Sequence, residues 1–460
     1  MIASNADLFE RAPVSRAVLT LAVPTVISQL ITVVYNVADT FFIGQLGDPR
    51  QVAAATLAMP PFILLTGIAN LFGIGGASLI SRSLGVGDTS KARRVASFSL
   101  WTGAAAALLY GLVMLLFRPV ILPAIGAGED TFDYLYQYVF WTISIGAVPT
   151  VLSAEMAHLI RAEGYARQAS FGIGMGGVLN ILLDPLFIFV LRMGITDAAV
   201  ATMLSNLAAL GYFLLLLHGK RGGTVISLNP RHYALSDRIP AEILLVGFPS
   251  FVMNLMSILS NVILNRLVAS YASEAIAGMG IAKKIDMVAF AIAGGMTQGV
   301  LPLIGYNYAA RNFPRMRAAI RTTLAYSLLI ACIGAVLLFI GATPASRLFI
   351  DDETTVAFGQ YFLQIICLTC PTVSVTIMLI TVFQATGRKL QPTILSLLRK
   401  GGLDVPFMFL MNALLGVSGI AWATPIADLL AMLTALALFL PFWRRLTPAE
   451  TITSSGECPW

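Results

Sequence analysis

Charge is what this chain has least of. Of 460 residues, 11% are Asp, Glu, Lys or Arg, against about one-quarter in a soluble domain. A surface wet on every side cannot be made from so few. With 57% hydrophobic residues and a mean hydropathy of +0.83, the composition is that of a polytopic membrane protein. Histidine is scarce too. His158, His218 and His232 stand apart from one another, and no HExxH, GxSxG or paired-acid motif falls at a membrane face, which argues against an intramembrane hydrolase or glycosyl transferase. The four cysteines, Cys332, Cys367, Cys370 and Cys458, form no disulfide framework; Cys367-Leu-Thr-Cys370 has redox spacing but lies in an apolar stretch and reads as helix packing. Gly73-Ile-Gly-Gly76 and Gly85-Val-Gly87 lack the Gly-Lys-Ser/Thr and the preceding strand that a phosphate loop needs, so they read as close helix contacts and no nucleotide is expected. No cleavable signal segment is apparent, because Met1–Arg16 is polar and short.

What the chain has in abundance is long apolar segments. Twelve recur, at 17–45, 52–81, 95–117, 133–158, 167–191, 195–217, 241–270, 276–305, 319–342, 355–380, 390–413 and 417–442, each near the ~20 residues that cross a bilayer. Basic residues gather in alternate loops, as in Arg82, Lys91, Arg93 and Arg94, at Lys220, Arg221, Arg231 and Arg238, and at Arg311, Arg315 and Arg317. The other loops hold only Arg50, Arg118, Arg192 and Arg347, with the acidic runs Glu129-Asp130 and Asp351-Asp352-Glu353. This bias predicts a multi-pass protein of the cytoplasmic (inner) membrane with both termini cytoplasmic; the +6 net charge follows from it and does not point to nucleic acid.

The chain also repeats itself. Leu21-Ala-Val-Pro24 opens the first segment and Val246-Gly-Phe-Pro249 the seventh. The loop Gly87-Asp88-Thr-Ser-Lys-Ala-Arg93 matches Arg311-Asn312-Phe-Pro-Arg-Met-Arg317, Arg161-Ala-Glu-Gly164 matches Gln384-Ala-Thr-Gly387, and Ala201-Thr202 matches Ala423-Thr424. A repeat of six segments keeps orientation, so the halves are parallel repeats about an axis along the membrane normal. The expected fold is all-α: twelve transmembrane helices in two pseudo-symmetric six-helix bundles, residues 1–218 and 241–445, joined by a cytoplasmic linker over 219–240 and followed by a tail over 446–460. Two such lobes place a substrate at their interface. Without a nucleotide motif, energy must come from an ion gradient.

Carboxylates inside membrane helices are expensive, on the order of 3 kcal/mol near the bilayer centre, so their positions mark function. Asp39 lies in the first segment, with Tyr35 and Asn36 on the same helix face. Asn180 and Asp184 are spaced i,i+4 on the fifth, and Pro185 deprives the carbonyl near residue 181 of its partner. Thr202 and Asn206 share a face of the sixth. Asp39, Asn180, Asp184 and Thr202 together offer hard oxygens suited to Na⁺ or H⁺ and not to zinc or iron; Asn206 taken alone reads as a bond to a neighbouring helix. The second half differs: Leu264 stands where Asp39 does, and Lys283, Lys284, Arg399 and Lys400 appear with Asp286, Asp404 and Asp428 as partners. Their bland role is mutual neutralisation; the sharper one takes Arg399 or Lys400 to the substrate cavity. Glu155 and Glu163 read as a gate or loop tie, and Met253, Met256, Met279, Met287 and Met296 as adaptable packing that also suits promiscuous binding.

The first helix ending Asn36-Val-Ala-Asp39-Thr-Phe-Phe-Ile-Gly44, the segment Ile74-Gly-Gly-Ala-Ser-Leu-Ile-Ser-Arg82, Gly85-Val-Gly-Asp88, Ile160-Arg-Ala-Glu-Gly164, Asn180-Ile-Leu-Leu-Asp184-Pro185 and Leu403-Asp404-Val-Pro-Phe-Met resemble the MATE (multidrug and toxic compound extrusion) transporters, in their MepA/DinF-like branch, over residues 13–445. The resemblance implies a V-shaped pair of lobes that exports amphipathic, mostly cationic compounds in exchange for H⁺ or Na⁺ by alternating access, with the cation site in the N-terminal lobe at Asp39, Asn180, Asp184 and Thr202. It implies a bend of the first helix at Pro24. Family members that use acids on the seventh and tenth helices are not matched here. The expected cavity adds Gln29, Tyr35, Asn36, Asn206, Met253, Met256, Met287 and Arg399. The expected partners are small amphipathic molecules and the bilayer, with no cofactor beyond the coupling ion and the chain acting as a monomer. The competing readings are a flippase or exporter of a lipid-linked or amphipathic metabolite, which Arg399 and Lys400 would serve, and a passive channel, which fits a single asymmetric carboxylate site less well.

Overall fold

The computed structural model describes residues 3–191, 194–220, 222–271, 273–350 and 352–446; Arg192, Arg221, Asp351 and the tail over 447–460, with Cys458, lie outside the described residues. All twelve apolar segments are helical. Among the described residues nine are single helices long and apolar enough to span a membrane, and two more are bent pairs, Phe132–Ile145 with Ala147–Ala162 at 50° and Glu353–Ile366 with Thr369–Ala385 at 44°. The eleventh segment is the helices Leu390–Leu397 and Val405–Leu415, joined by a π-helical stretch Leu398–Asp404. Two further π-helical stretches occur, Phe140–Ile145 in the fourth span and Phe187–Leu191 at the end of the fifth. The first span, Val14–Gly44, is one uninterrupted α-helix through Pro24, so the bend implied by family resemblance is not a break in the helix. The second and eighth, Pro49–Gly85 and Ser273–Ala309, run to 37 residues each, well beyond the ~20 needed, and carry the contacts between lobes.

The internal repeat is visible in the backbone as well as in the letters. Asp88 caps Thr89–Leu116 by accepting from the Lys91 N–H at 2.8 Å, and Asn312 caps Phe313–Ile340 by accepting from that of Arg315 at 3.3 Å. The residue before each cap is left-handed, Gly87 at φ +80° and Arg311 at φ +57°. Gly164 and Gly387 adopt φ +87° and +73°, and Gly194 and Gly416 φ +75° and +60°. Matching turns at matching places show that both halves share one connection plan. At the opposite face, Asp48 caps Pro49–Gly85, and its bonds from the Arg50 side chain hold its carboxyl down at about 2.

The lobes meet at the face that holds the chain ends. There the first span packs on the eighth, with Gly299 against Leu21 and Ala22 and Gly295 against Val26, and the second packs on the seventh. A Cβ on Gly247 would overlap the Leu71 carbonyl, and one on Gly75 the Ile243 carbonyl; only glycine lets these backbones touch. Arg82 and Glu242 form an ion pair at 3.0 Å across the lobes, and Ser78 donates to the Gln384 carbonyl at 2.6 Å. Gln384 turns its amide to the Val246 carbonyl and the Ser250 hydroxyl.

The stretch between the lobes is bound to the N-terminal one. Thr224 donates to both Glu163 oxygens at 2.9 and 2.7 Å, and the Val225 N–H donates to the same carboxylate. Trp101 donates to the Leu228 carbonyl at 3.1 Å, and Arg94 pairs with Asp237 at 2.6 Å. Val225 is fully buried. Glu163 is therefore a loop tie. Glu155 is not: it is 0% exposed, inside the lobe beside Gly103.

Candidate cation site and the charged cluster opposite

The site begins with small residues. Phe171-Gly172-Ile-Gly174-Met-Gly176-Gly177 lines the fifth span, and its missing side chains admit the neighbouring helices. Gly174 and Gly177 touch Ile31 of the first span; a Cβ on Gly177 would lie 2.8 Å from Ile31 and 3.1 Å from the Tyr35 ring. Gly176 faces Ala209 and Ser205 of the sixth span, Ile195–Gly219. The contacts advance together along spans one and five, so these helices run parallel. One turn beyond Tyr35 and Gly177 come Asp39 and Ile181, and the Ile181 carbonyl gets no i+4 bond because residue 185 is proline.

Four polar side chains then close on one another. Asn180 donates through Nδ2 to Asp184 Oδ1 at 3.3 Å and to Thr202 Oγ1 at 3.2 Å. Of the two ends of the amide only the nitrogen can donate, so these bonds fix the amide and turn its oxygen the other way. Tyr138 of the fourth span donates to Asp39 Oδ2 at 3.2 Å. Asp39 and Asp184 are near enough for their charges to interact. Asp184 is fully buried and Asn180 nearly so; Asp39 is partly open. After these bonds are counted, Asp39 Oδ1, Asn180 Oδ1 and Asp184 Oδ2 are buried without a hydrogen-bond partner. Unpaired buried oxygens are costly. These oxygens, on two carboxylates and an amide and with no Lys or Arg ion-paired to them among the described residues, make a set that fits a small hard cation or a proton. Among the described residues no three His, Cys, Asp or Glu side chains are grouped so as to hold a metal ion.

The structure thus brings Asp39, Asn180, Asp184 and Thr202 into one cluster. Tyr138 is the member that sequence reasoning missed; its only signal was the run Tyr134-Leu-Tyr136-Gln-Tyr138 just before a π-helical turn, a local geometry frequent at functional sites. Other expected residues lie elsewhere. Asn206 donates to Thr150 at 3.0 Å, the neighbouring-helix bond expected of it taken alone. Asn36 turns back to the Thr32 carbonyl at 2.7 Å. Gln29 donates to Gln298 at 3.2 Å across the lobes. Met253 and Met256 are half-buried, Met256 against Gly401, and Met287 is 42% exposed. Met279 and Met296 are core.

In the C-terminal lobe two of the four basic residues Lys283, Lys284, Arg399 and Lys400 are paired with acids. Arg399 Nε bonds Asp428 at 2.7 Å, with both side chains 3% exposed, and its guanidinium lies over Phe290. Lys400 pairs with Asp404 at 3.3 Å, and Ser260 donates to the same carboxylate at 2.7 Å. Arg399 was expected at the substrate cavity; the structure buries it inside the lobe instead. The π-helical stretch Leu398–Asp404 shifts the register of successive side chains and points Arg399 at the twelfth span, Val417–Arg445.

Comparison with known proteins agrees with this architecture. The sequence model of the MatE family matches residues 24–186 and 249–410, once in each half. The chain is 32% identical over 441 residues to the "Multidrug export protein MepA" of Staphylococcus aureus (strain NCTC 8325 / PS 47), covering 95% of this chain and 96% of that one, and 29% identical over 439 residues to its namesake from Staphylococcus saprophyticus. Among solved structures it superposes on an outward-facing multidrug resistance MATE family transporter with a TM-score of 0.88 and on a MOP superfamily transporter from Pyrococcus furiosus with 0.90, each at 24% identity over 96% of this chain and 99% of the other. With two lobes, twelve spans and a family match in each half, the chain belongs to the MATE family of membrane transporters and is not an enzyme.

Proposed function

We infer that the protein is a secondary antiporter of the cytoplasmic membrane, exporting amphipathic, mostly cationic compounds in exchange for H⁺ or Na⁺. The observation that carries this reading is the set of unpartnered buried oxygens on Asp39, Asn180 and Asp184 in the N-terminal lobe. A site with two acids and no basic partner among the described residues attracts a cation. Filling it removes the field that would hold a cationic substrate, so ion and substrate compete. Both termini are cytoplasmic, as the Lys/Arg bias implies. The joined face with Arg82 and Glu242 is then the closed cytoplasmic gate, and the arrangement is outward-facing. MepA relatives are described as multidrug exporters, which supports a broad substrate range here. The flippase alternative relied on Arg399 and Lys400 to hold a phosphate; both are engaged with acids of their own lobe, so the antiporter reading stands ahead.

Efflux of a cationic dye from reconstituted vesicles, with a Na⁺ gradient and a pH gradient imposed one at a time, tests the proposal. One gradient should drive efflux, and Asp184→Asn should abolish that dependence while inserting normally. Dye movement unaffected by either gradient would overturn the antiport reading.

A further inference from the structure

We propose that the N-terminal lobe carries an anionic-phospholipid site at its chain-end face, formed where the stretch between the lobes folds back over spans three and six. A cavity of about 540 Å³ lies there, and its polar wall holds Arg93, His218, Asn229 and His232. No Asp or Glu lines it. Arg93 makes no ion pair among the described residues, whereas its neighbour Arg94 is engaged with Asp237. His232 is oriented by a 2.7 Å bond between Nδ1 and Ser227, which leaves Nε2 for a ligand.

The opposite wall is apolar and continuous with the outer surface. Leu214 is 40% exposed and Leu228 37%. Two amphipathic aromatics flank the cavity and mark its depth. Trp101, 45% exposed, donates to the Leu228 carbonyl at 3.1 Å, and Tyr233, 41% exposed, leans on Phe98 with ring centroids 5.5 Å apart. Exposed Trp and Tyr of this kind sit where acyl chains give way to headgroups. A concave site at that level, basic on one side and leucine-lined on the other, has the chemistry to take a phosphodiester headgroup by its phosphate while the acyl chains run down the leucines. A soluble phosphate shares only the first half of that recognition. The ligand would rest on Ser227–Asn229, part of the same stretch that Glu163 ties down, so occupancy would stiffen the connection between the lobes.

The test uses delipidated full-length protein in detergent, with thermal unfolding followed as lipid is added. Phosphatidylglycerol should raise the unfolding midpoint at concentrations where phosphatidylcholine and inorganic phosphate do not. Arg93→Gln should weaken the phosphatidylglycerol response by roughly fivefold or more, the loss expected for one basic contact to an anionic lipid. Arg93→Lys should retain most of the response, and Arg231→Gln, outside the cavity, should leave it intact. Should Arg93→Gln not fold, His218→Gln replaces it with the same expectation. An equal response to phosphatidylcholine, a full response to inorganic phosphate, or a phosphatidylglycerol response indifferent to Arg93 and His218 would each overturn the proposal.

Discussion

Asp39→Asn exchanges one of two site carboxylates for an amide of the same shape. Tyr138 can still donate to the Oδ atom it now holds at 3.2 Å, so the helix contacts persist and the change is electrostatic. The site loses one of its two ionisable carboxylates. A cationic group held about 5 Å from a carboxylate, at an effective dielectric of about 20, is favoured by about 3 kcal/mol. Asp39 is partly open, and water screens some of that, leaving on the order of 1.4–2.8 kcal/mol, or ten- to a hundredfold in affinity. The assay is fluorescence binding of a monocationic dye to detergent-purified protein. Na⁺ is titrated at fixed pH, and pH is then varied without Na⁺. In the wild type, dye affinity should fall as Na⁺ rises or as pH drops, because a filled site no longer attracts the dye; by linkage the dye must weaken ion binding by the same factor. The variable that acts identifies the coupling ion. In Asp39→Asn, dye affinity should drop ten- to a hundredfold and its ion dependence should flatten. A variant that binds dye within twofold of wild type, with the ion dependence intact, would refute the assignment.

Asn180→Leu removes the donor shared by Asp184 and Thr202 and one unpaired oxygen; gradient-driven efflux should fall to the gradient-free level with normal membrane insertion, and wild-type efflux would show that Asn180 only packs. Gly247→Ala places a methyl on the Leu71 carbonyl. At about 1–3 kcal/mol of overpacking it should shift the population away from this arrangement by five- to a hundredfold, read as shortened distances between spin labels on Leu46 and Ala269; unchanged distances would contradict a close-contact role. Arg399→Met and Asp428→Leu should each destabilise the purified protein by about 3–5 kcal/mol by stranding a buried charge, with the double variant recovering most of the loss; additive losses would mean the pair is not the unit.

Much of the fold was legible because its determinants are local. Hydropathy places the spans, and the repeat is written in turn chemistry: Asp88 and Asn312 cap equivalent helices, and Gly164 and Gly387 take the same left-handed turn. Span lengths were underestimated where glycine-rich and polar ends continue as helix, as at Gly85 and Ala309, because the contacts that hold those ends come from the other lobe. The acids and amides of the site were legible because each is costly to bury in a membrane and their i,i+4 spacing puts them on shared helix faces. Tyr138 was not, since a tyrosine in an apolar helix is ordinary until its hydroxyl is seen on Asp39. Nor was the depth of Arg399, which depends on a π-helical turn that no spacing rule announces.

The repeat also explains why the lobes can divide their labour. Duplicated bundles begin with equal polar inventories, and each intramembrane charge must then be either neutralised at home or used. The C-terminal lobe neutralises: Arg399 with Asp428, Lys400 with Asp404, and Ser260 on the same carboxylate. Those two pairs are internal to the lobe, whereas Lys283, Lys284 and Asp286 of the eighth span form no ion pair among the described residues. In the N-terminal lobe Asp39 and Asp184 form no ion pair among the described residues and, with Asn180, leave three buried oxygens without partners, as Glu155 leaves two more, so the charge of the site would change with a cation or proton that enters. On the proposed antiport reading, occupying the N-terminal site would alter how spans one, five and six pack, and the C-terminal lobe would be the body they rock against through Gly75, Gly247 and the Arg82–Glu242 pair.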